Sequence, residues 1–486
     1  MSASHKYPRG VSARPAGSVR PIPLLEQITL VHVGALVVFA AWAFGGNAGW
    51  SRIAIALWGS FGVLITLTAL QNDELRKGGH LRPLRWLWPL VLFNGLVLAG
   101  VFNPSFHEVT DEKHVFFVQN QLVSAYPSSA RPDRSLLALW FFDAVYLSCF
   151  NLVLIVRQRR ALRGLLLVLS ANAVLLAIFG TAQKLVGAKG LFFGLTASPQ
   201  PYFFSSFIYH NHWGAFTVLM VALSLGLIFH FVRRRDRRDF WHSPAFAGLV
   251  AILLLAASVP LSTSRSCTVL VGLLLGVAFL HGLARIVRRR RAYKESVVAP
   301  VGLAVLAVAV AGWFAYDLAR PVIATRVAAT EAQIADMRAG GSFGSRETLY
   351  RDTVRMAGDR PWFGWGMASY STVFNLYNSQ HISPVDGLPK YFDDAHSDWL
   401  QSAAEVGLAG TALLGLCALV PLWHRRRFVA QSPLTLYLLG GCGLVALYAW
   451  LEFPFGNGAV IAAFWTCFFT AVHYGRLEAP AESAAP

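Results

Sequence analysis

Charge is what this chain has least of. Asp, Glu, Lys and Arg make up 14% of its 486 residues, where a soluble domain carries about 25%. A water-soluble globular surface and an acid-rich disordered segment are both excluded by that shortage. Carboxylates are the scarcer sign, 25 against 42 Lys and Arg, for a net charge of +17. Cysteine is also sparse. Cys149, Cys267, Cys417, Cys442 and Cys467 lie in or beside apolar segments without CxxC spacing, so neither a disulfide framework nor a zinc site is expected. The segment 1–27 holds Lys6, Arg9, Arg14, Arg20 and several prolines but no signal-peptide cleavage pattern, and reads as a flexible cytoplasmic tail. Internal repeats, low-complexity runs and the inverted repeats of many transporters are not evident.

What is abundant is apolar sequence. Hydrophobic residues make up 55% of the chain and come in blocks approaching the roughly 20 residues that cross a bilayer core. The expected fold class is therefore an all-α polytopic membrane protein. About twelve transmembrane helices are expected, at 28–45, 52–70, 86–102, 136–156, 163–186, 210–232, 244–263, 266–285, 297–317, 396–422, 434–452 and 457–475. Arginine runs separate the blocks: "RQRRALR" from Arg157, "RRRDRR" from Arg233, "RIVRRRR" from Arg285 and "HRRR" ending at Arg427. With a cytoplasmic N-terminus, 27 of the 42 Lys and Arg fall inside and 15 outside. That is the positive-inside pattern, so the net charge speaks for topology and no nucleic-acid partner is expected.

The chain divides accordingly: a cytoplasmic tail (1–27), helices one to nine (28–317), a large periplasmic loop (318–395), helices ten to twelve (396–475) and a second cytoplasmic tail (476–486). The outer segment 103–135 is polar, and 187–209 is aromatic and glycine-rich enough to lie along the membrane surface. The large loop is expected to be helical. "RPVIATRVAATEAQIADMRAG" is helix-friendly and ends at Gly340–Gly341; a second helix runs from about Arg346 to Met356 with Ser345 as N-cap. Asp393 or Asp394 is a candidate cap for the span that opens near His396.

Polar residues gather at the outer ends of the spans. Arg265, in "PLSTSRSCTVL", sits at a tight junction at membrane depth, where an Arg is expensive without a partner or a task. Ser262, Thr263 and Ser264 are placed to cap the following helix. A cation in its first turn opposes the helix dipole unless an anion visits; otherwise Arg265 is a snorkelling residue bound to headgroups. Arg346 repeats the arrangement after Ser345. Arg351 and Arg355 share one helical face, roughly opposite Arg346, and read either as candidate phosphate contacts or as a solvated face pairing with Glu347, Asp352 or Asp359. His396, beside Asp394 and Asp398, is a candidate general base or an interfacial residue. Asp393, Asp394, His396 and Asp398 match no firm metal-ligand spacing, so no metal or other cofactor is expected. His210, Asn211 and His212 open another span, as candidate glycan or phosphate contacts or as polar caps. Glu452, in "LEFPFGNG", reads as a structural residue of the last outer turn. A basic pocket above the acyl region suits a lipid-linked diphosphate, because Arg offers planar bidentate donors to phosphate.

The segments "FIYHNHWGAF", "LSTSRSCTVLVGLLLG", "SRETLYRDTVRMAGDRPWFGWGMASY", "AHSDWLQSAAEVGLAG" and "EFPFGNG" together resemble the O-antigen ligase superfamily. It includes O-antigen ligases, O-antigen and exopolysaccharide polymerases and protein O-oligosaccharyltransferases. The family's His followed after ten residues by Gly is met by His396 and Gly407. Its Arg-x-x-x-Leu is met loosely by Arg265, with Val269 four residues on and Leu270 one later. The resemblance implies a glycosyltransferase-C-like membrane enzyme of the bacterial inner membrane with a periplasmic site. It also implies undecaprenyl-diphosphate-linked glycan donors and inverting, metal-independent transfer. On that basis Arg265 and Arg346 hold the pyrophosphate and His396 is the base. Asn211, His210, Arg351, Arg355 and Asp398 are further candidate contacts. The acceptor would be a second lipid-linked glycan for a polymerase, the first reading, or lipid A-core for a ligase; a chain-length regulator is a candidate partner beside the bilayer.

The alternative from another class is a polysaccharide transporter or flippase. It needs ionisable residues near the middle of spans, and Asp143 and Glu452 are the nearest to that. A reporter fused after Gly340 is expected to register on the extracytoplasmic side; a cytoplasmic signal would invert the assigned topology.

Overall fold

The computed structural model describes residues 21–111, 115–120, 126–234, 244–306 (with 309, 310, 313 and 317), 345–380 and 390–479. The fold is an all-α polytopic bundle. In chain order the principal helices are α1 (Leu24–Trp42), α2 (Gly49–Gln71), α3 (Arg82–Val101), α4 (Pro132–Ile155), α5 (Arg159–Leu185), α6 (His210–Arg234), α7 (Pro244–Ser262), α8 (Arg265–Ala292), α9 (Ser345–Asp359), α10 (Asp398–Val429), α11 (Pro433–Tyr448) and α12 (Gly458–Glu478).

All of these except α9 and α11 are long and apolar enough to cross a membrane, which makes ten candidate spans; α11 is apolar but shorter. Ten of the twelve expected spans correspond to these helices; the expected span at 434–452 falls on the shorter α11, and that at 297–317 is helical over 298–306 and lies in part outside the described residues, so the count of twelve is not confirmed. The expected loop helix at 320–340 lies outside the described residues. The outer segment after α3 forms an antiparallel hairpin, Phe106–Thr110 with Val115–Gln119, because "VFFVQ" is rich in β-branched and aromatic residues.

Helices α4, α6 and α12 form the interior, and α2 packs along α4. That last contact is close because small residues face each other. A Cβ on Gly62 would lie 2.5 Å from the Ser148 hydroxyl, and Asn151 donates to the Gly62 carbonyl at 2.8 Å, a small-residue interface of the membrane type. The outward face of α2 exposes Trp50, Ile53, Leu57, Phe61, Leu64 and Leu67, a surface suited to lipid as solvent. Asp143, inside α4, accepts a hydrogen bond from Asn94 at 3.1 Å.

The end that carries the N-termini of α6, α8, α10 and α12 is capped by a second small core. Leu349, Met356, Trp365, Tyr370, Phe374, Ala395 and Ala404 pack there. Its loop is stitched into α10 at a break. Gly407 takes φ +67° inside the helix, and the freed backbone groups pair with the loop: Trp365 and Gly366 N–H donate to the Ala404 and Glu405 carbonyls, and Leu408 and Ala409 N–H to those of Pro361 and Trp362. A Cβ at Gly407 would run into the Trp362 carbonyl. Gly407→Ala therefore adds a steric clash to a strained φ, itself worth about 1–3 kcal/mol. It is expected to lower the melting temperature of the purified protein and its monodisperse yield. Gly415→Ala on the same helix, where a Cβ meets nothing within 4 Å, should leave both unchanged.

Candidate functional site

The turn between α11 and α12 carries a lone carboxylate, Glu452, of which 4% is exposed. The turn is pinned from several sides. The Asp398 N–H donates to the Glu452 carbonyl at 3.2 Å, and the Asp398 carboxylate accepts the Phe455 N–H at 2.8 Å. Arg52, in the first turn of α2, donates to the Gly456 carbonyl. Asn457 caps α12 by accepting the Val460 N–H. His212 meets the Phe453 carbonyl at 3.2 Å.

Four side chains from three distant segments converge on Glu452. Arg346, in the first turn of α9, donates to Oε1 at 2.5 Å. Asn211, in the first turn of α6, donates to the same oxygen at 3.0 Å, and the Tyr209 hydroxyl donates to Oε2 at 3.4 Å. His396 Nδ1 lies 3.5 Å from Oε2; it is closed to solvent and makes no formed hydrogen bond. Burial works against a charge on Glu452, but the His396 imidazole and the Arg346 guanidinium outweigh it, and the carboxyl is held below its ordinary range. It is therefore ionised at neutral pH. Burial raises the Tyr209 hydroxyl, and the Glu452 charge adds to that, which keeps Tyr209 a donor.

His396 itself is held in a strained backbone, φ +52°. Its carbonyl accepts the Tyr350 hydroxyl at 2.9 Å, and its ring meets Phe453 edge-on at 4.9 Å. Ser397, not Asp393 or Asp394, caps α10, and the helix starts at Asp398. With Nδ1 facing a carboxylate, the favourable tautomer carries its proton there, leaving Nε2 as the basic nitrogen.

Arg265 is the first residue of α8 and is exposed. Thr263 before it takes φ +71°. Ser264 occupies the N-cap position without capping the helix; its hydroxyl donates instead to Asn211 Oδ1 at 2.7 Å. Asn211 thus ties the start of α8 to Glu452. The structure brings Arg346, His396 and Asn211 together at Glu452, with Arg265 one residue from a member of that network. Asp398 serves as scaffold of the turn. Arg351 and Arg355 pair on their own helix, with Glu347 at 2.9 Å and Asp352 at 3.8 Å, which is the solvated-face arrangement. His210 turns to the Tyr202 carbonyl at 3.2 Å. Among the described residues no group of three or more His, Cys, Asp and Glu is placed to hold a metal ion.

Sequence reading set Glu452 aside as structural and passed over Tyr209 and Arg52. The signal for Glu452 was present: it is the one carboxylate between Phe428 and Leu477, and a lone acid between apolar helices is costly without partners.

The fold and the network define a polytopic membrane protein with a polar site at one end of its bundle. Residues 250–415, about a third of the chain, match the family model described as O-antigen ligase, a similarity that supports a ligase/polymerase-type membrane glycan enzyme. The matched region includes Arg265, Arg346, His396 and Gly407; Asn211 and Glu452 lie outside it. No match is found among curated proteins.

Because the Glu452 carboxyl sits below its ordinary value, the stability it adds is present above the unfolded-chain pKa of about 4.3 and is lost as pH falls through the lower folded value. The gap in melting temperature between wild type and Glu452→Gln is thus expected to be widest near pH 7 and to close on acidification below pH ~4. A gap independent of pH would show that the carboxylate charge is not what the site uses.

Proposed function

We propose that the protein transfers a polyprenyl-diphosphate-linked glycan to a sugar hydroxyl on the periplasmic face of a bacterial inner membrane, with inversion and without a metal. The observation that supports this most is the meeting of Arg346 and His396 on one buried carboxylate beside the α8 start that bears Arg265. Arg346 gives one terminal nitrogen to Glu452 and the other to the Leu451 carbonyl at 3.5 Å, yet its side chain is half exposed, and Arg265 is exposed as well; guanidinium groups of that kind suit a pyrophosphate.

In this reading His396 Nε2 takes the proton of the attacking hydroxyl. That oxygen forms the new bond to the anomeric carbon, and the bond from that carbon to the diphosphate breaks. The guanidinium groups stabilise the charge that grows on the leaving polyprenyl diphosphate. Glu452 holds the imidazole tautomer and stabilises the imidazolium. With a second lipid-linked glycan as acceptor, the first reading, the protein is a polymerase; with lipid A-core it is a ligase.

Arg265→Ala and His396→Ala are each expected to reduce transfer by about 10²-fold or more, measured on purified protein with a lipid-linked glycan donor in EDTA, while insertion is unchanged. Full activity in both variants would remove this site, and a strict need for added divalent metal would place the enzyme in another class. Glycan analysis of a deletion strain separates the acceptors: single lipid-linked repeats accompany loss of a polymerase, and long lipid-linked polymer accompanies loss of a ligase.

A further inference from the structure

The opposite end of the bundle carries cations that glycan transfer does not use. Arg82 and Arg85 open α3, Arg425 and Arg427 lie at the end of α10, and Arg476 lies at the end of α12. The fold brings them together from three distant stretches of chain. Arg425 lies in the field of Arg476, Arg427 and Arg85, and Arg476 in that of Arg82. The Arg425 guanidinium sits 5.1 Å from the Trp86 ring centre and 6.0 Å from that of Phe428, and Arg427 approaches the same Phe428 ring at 4.9 Å.

Two N–H groups at the centre of this cluster have no acceptor. The Arg425 Nε and the neighbouring Trp86 indole nitrogen are both closed to solvent and make no hydrogen bond. Among the described residues none of the five arginines makes a side-chain hydrogen bond or an ion pair. Carboxylates are not lacking at this end. Arg76 pairs with Asp73 at 2.5 Å, Arg157 with Glu74 at 3.1 Å and Arg290 with Glu295 at 2.8 Å. The surplus field reaches His80, whose imidazole is pushed down by burial and then by the charges of Arg157 and Arg476.

Orientation in a membrane requires only that cations be numerous in the loops of one side. It does not require them to converge, nor to leave adjacent arginine and indole donors without acceptors, which is costly. We infer that the Arg82, Arg85, Arg425, Arg427 and Arg476 cluster with Trp86 binds a phosphate-bearing anion, and that an acidic phospholipid headgroup at the membrane surface supplies it. Phosphate oxygens match the guanidinium fork, and a basic pocket between spanning helices is where lipid phosphates bind. Trp423, exposed beside the cluster on α10, is of the kind that lines membrane interfaces. A soluble phosphate is the other source of the same chemistry.

The test titrates the full chain in detergent with phosphatidylglycerol or phosphatidylcholine and counts bound lipid by native mass spectrometry, with inorganic phosphate as competitor. Wild type should prefer phosphatidylglycerol at least tenfold. The triple variant Arg425→Gln, Arg427→Gln, Arg476→Gln should lose that preference, since each basic residue near an anionic surface contributes about fivefold. Arg288→Gln, Arg289→Gln, Arg291→Gln, which removes three charges from the end of α8, should keep it. Arg425→Lys retains the charge and loses the fork; it should bind severalfold more weakly, and it carries the test if the triple variant does not fold. Equal lipid preference in wild type and in the Arg425 variants would overturn the site. Displacement of lipid by millimolar inorganic phosphate would support the phosphate site while overturning the lipid as its source.

Discussion

A carboxylate buried at one end of a membrane bundle has to be matched, and this protein matches Glu452 from several segments. Glu452 stays ionised among apolar neighbours because Arg346, Asn211, Tyr209 and His396 surround it. These groups start from the loop helix α9, from the junction before α6 and from the approach to α10. One charge therefore fixes the relative positions of three segments that are far apart in sequence. Ser264 extends the constraint to α8 through Asn211. Removing one partner would leave the remaining charge buried and uncompensated, a larger penalty than the net worth of any single contact.

Backbone strain lies at the same places. Thr263 and His396 are non-glycine residues with positive φ, and each stands within two residues of a helix start, α8 and α10. Such conformations persist only where the surroundings over-determine them. At His396 the Tyr350 hydroxyl holds the carbonyl and the next residue is the α10 cap. The break at Gly407 completes the frame. It lets the loop after α9 insert its backbone into the α10 hydrogen-bond ladder, so that α9, which carries Arg346, and α10, which follows His396, move as one body.

The bundle was legible from the sequence because long apolar blocks and arginine runs are strong signals with one physical cause, the bilayer as solvent. Polar clusters at helix starts were legible for a related reason, since polar groups at membrane depth are rare. Which of them meet was not legible. Pairing across more than 100 residues, as between Arg346 and Glu452, depends on how helices rotate about their axes, and apolar helices with weak amphipathicity leave that rotation unmarked. The hairpin after α3 lies in a segment whose polarity alone marks no strand pairing. Ser264 was expected to cap α8; its hydroxyl is taken by Asn211, a competition that helix-end rules do not include.

The two ends of the bundle answer the same electrostatic problem in opposite ways. Helix α10 has 32 residues, about 48 Å if straight, which exceeds the roughly 30 Å hydrocarbon core. It carries Asp398 at its start and Arg425 near its other end, with the break at Gly407 between them. At the Glu452 end a buried carboxylate is matched by donors from the protein itself. At the Arg425 end five arginines gather, and among the described residues none of them forms an ion pair. A chain with 25 acids for 42 bases cannot neutralise both ends from its own side chains. An excess of guanidinium held in fixed geometry at a membrane surface is a demand for anions from outside the polypeptide. On the proposed function and the inferred lipid site alike, that anion is a phosphate.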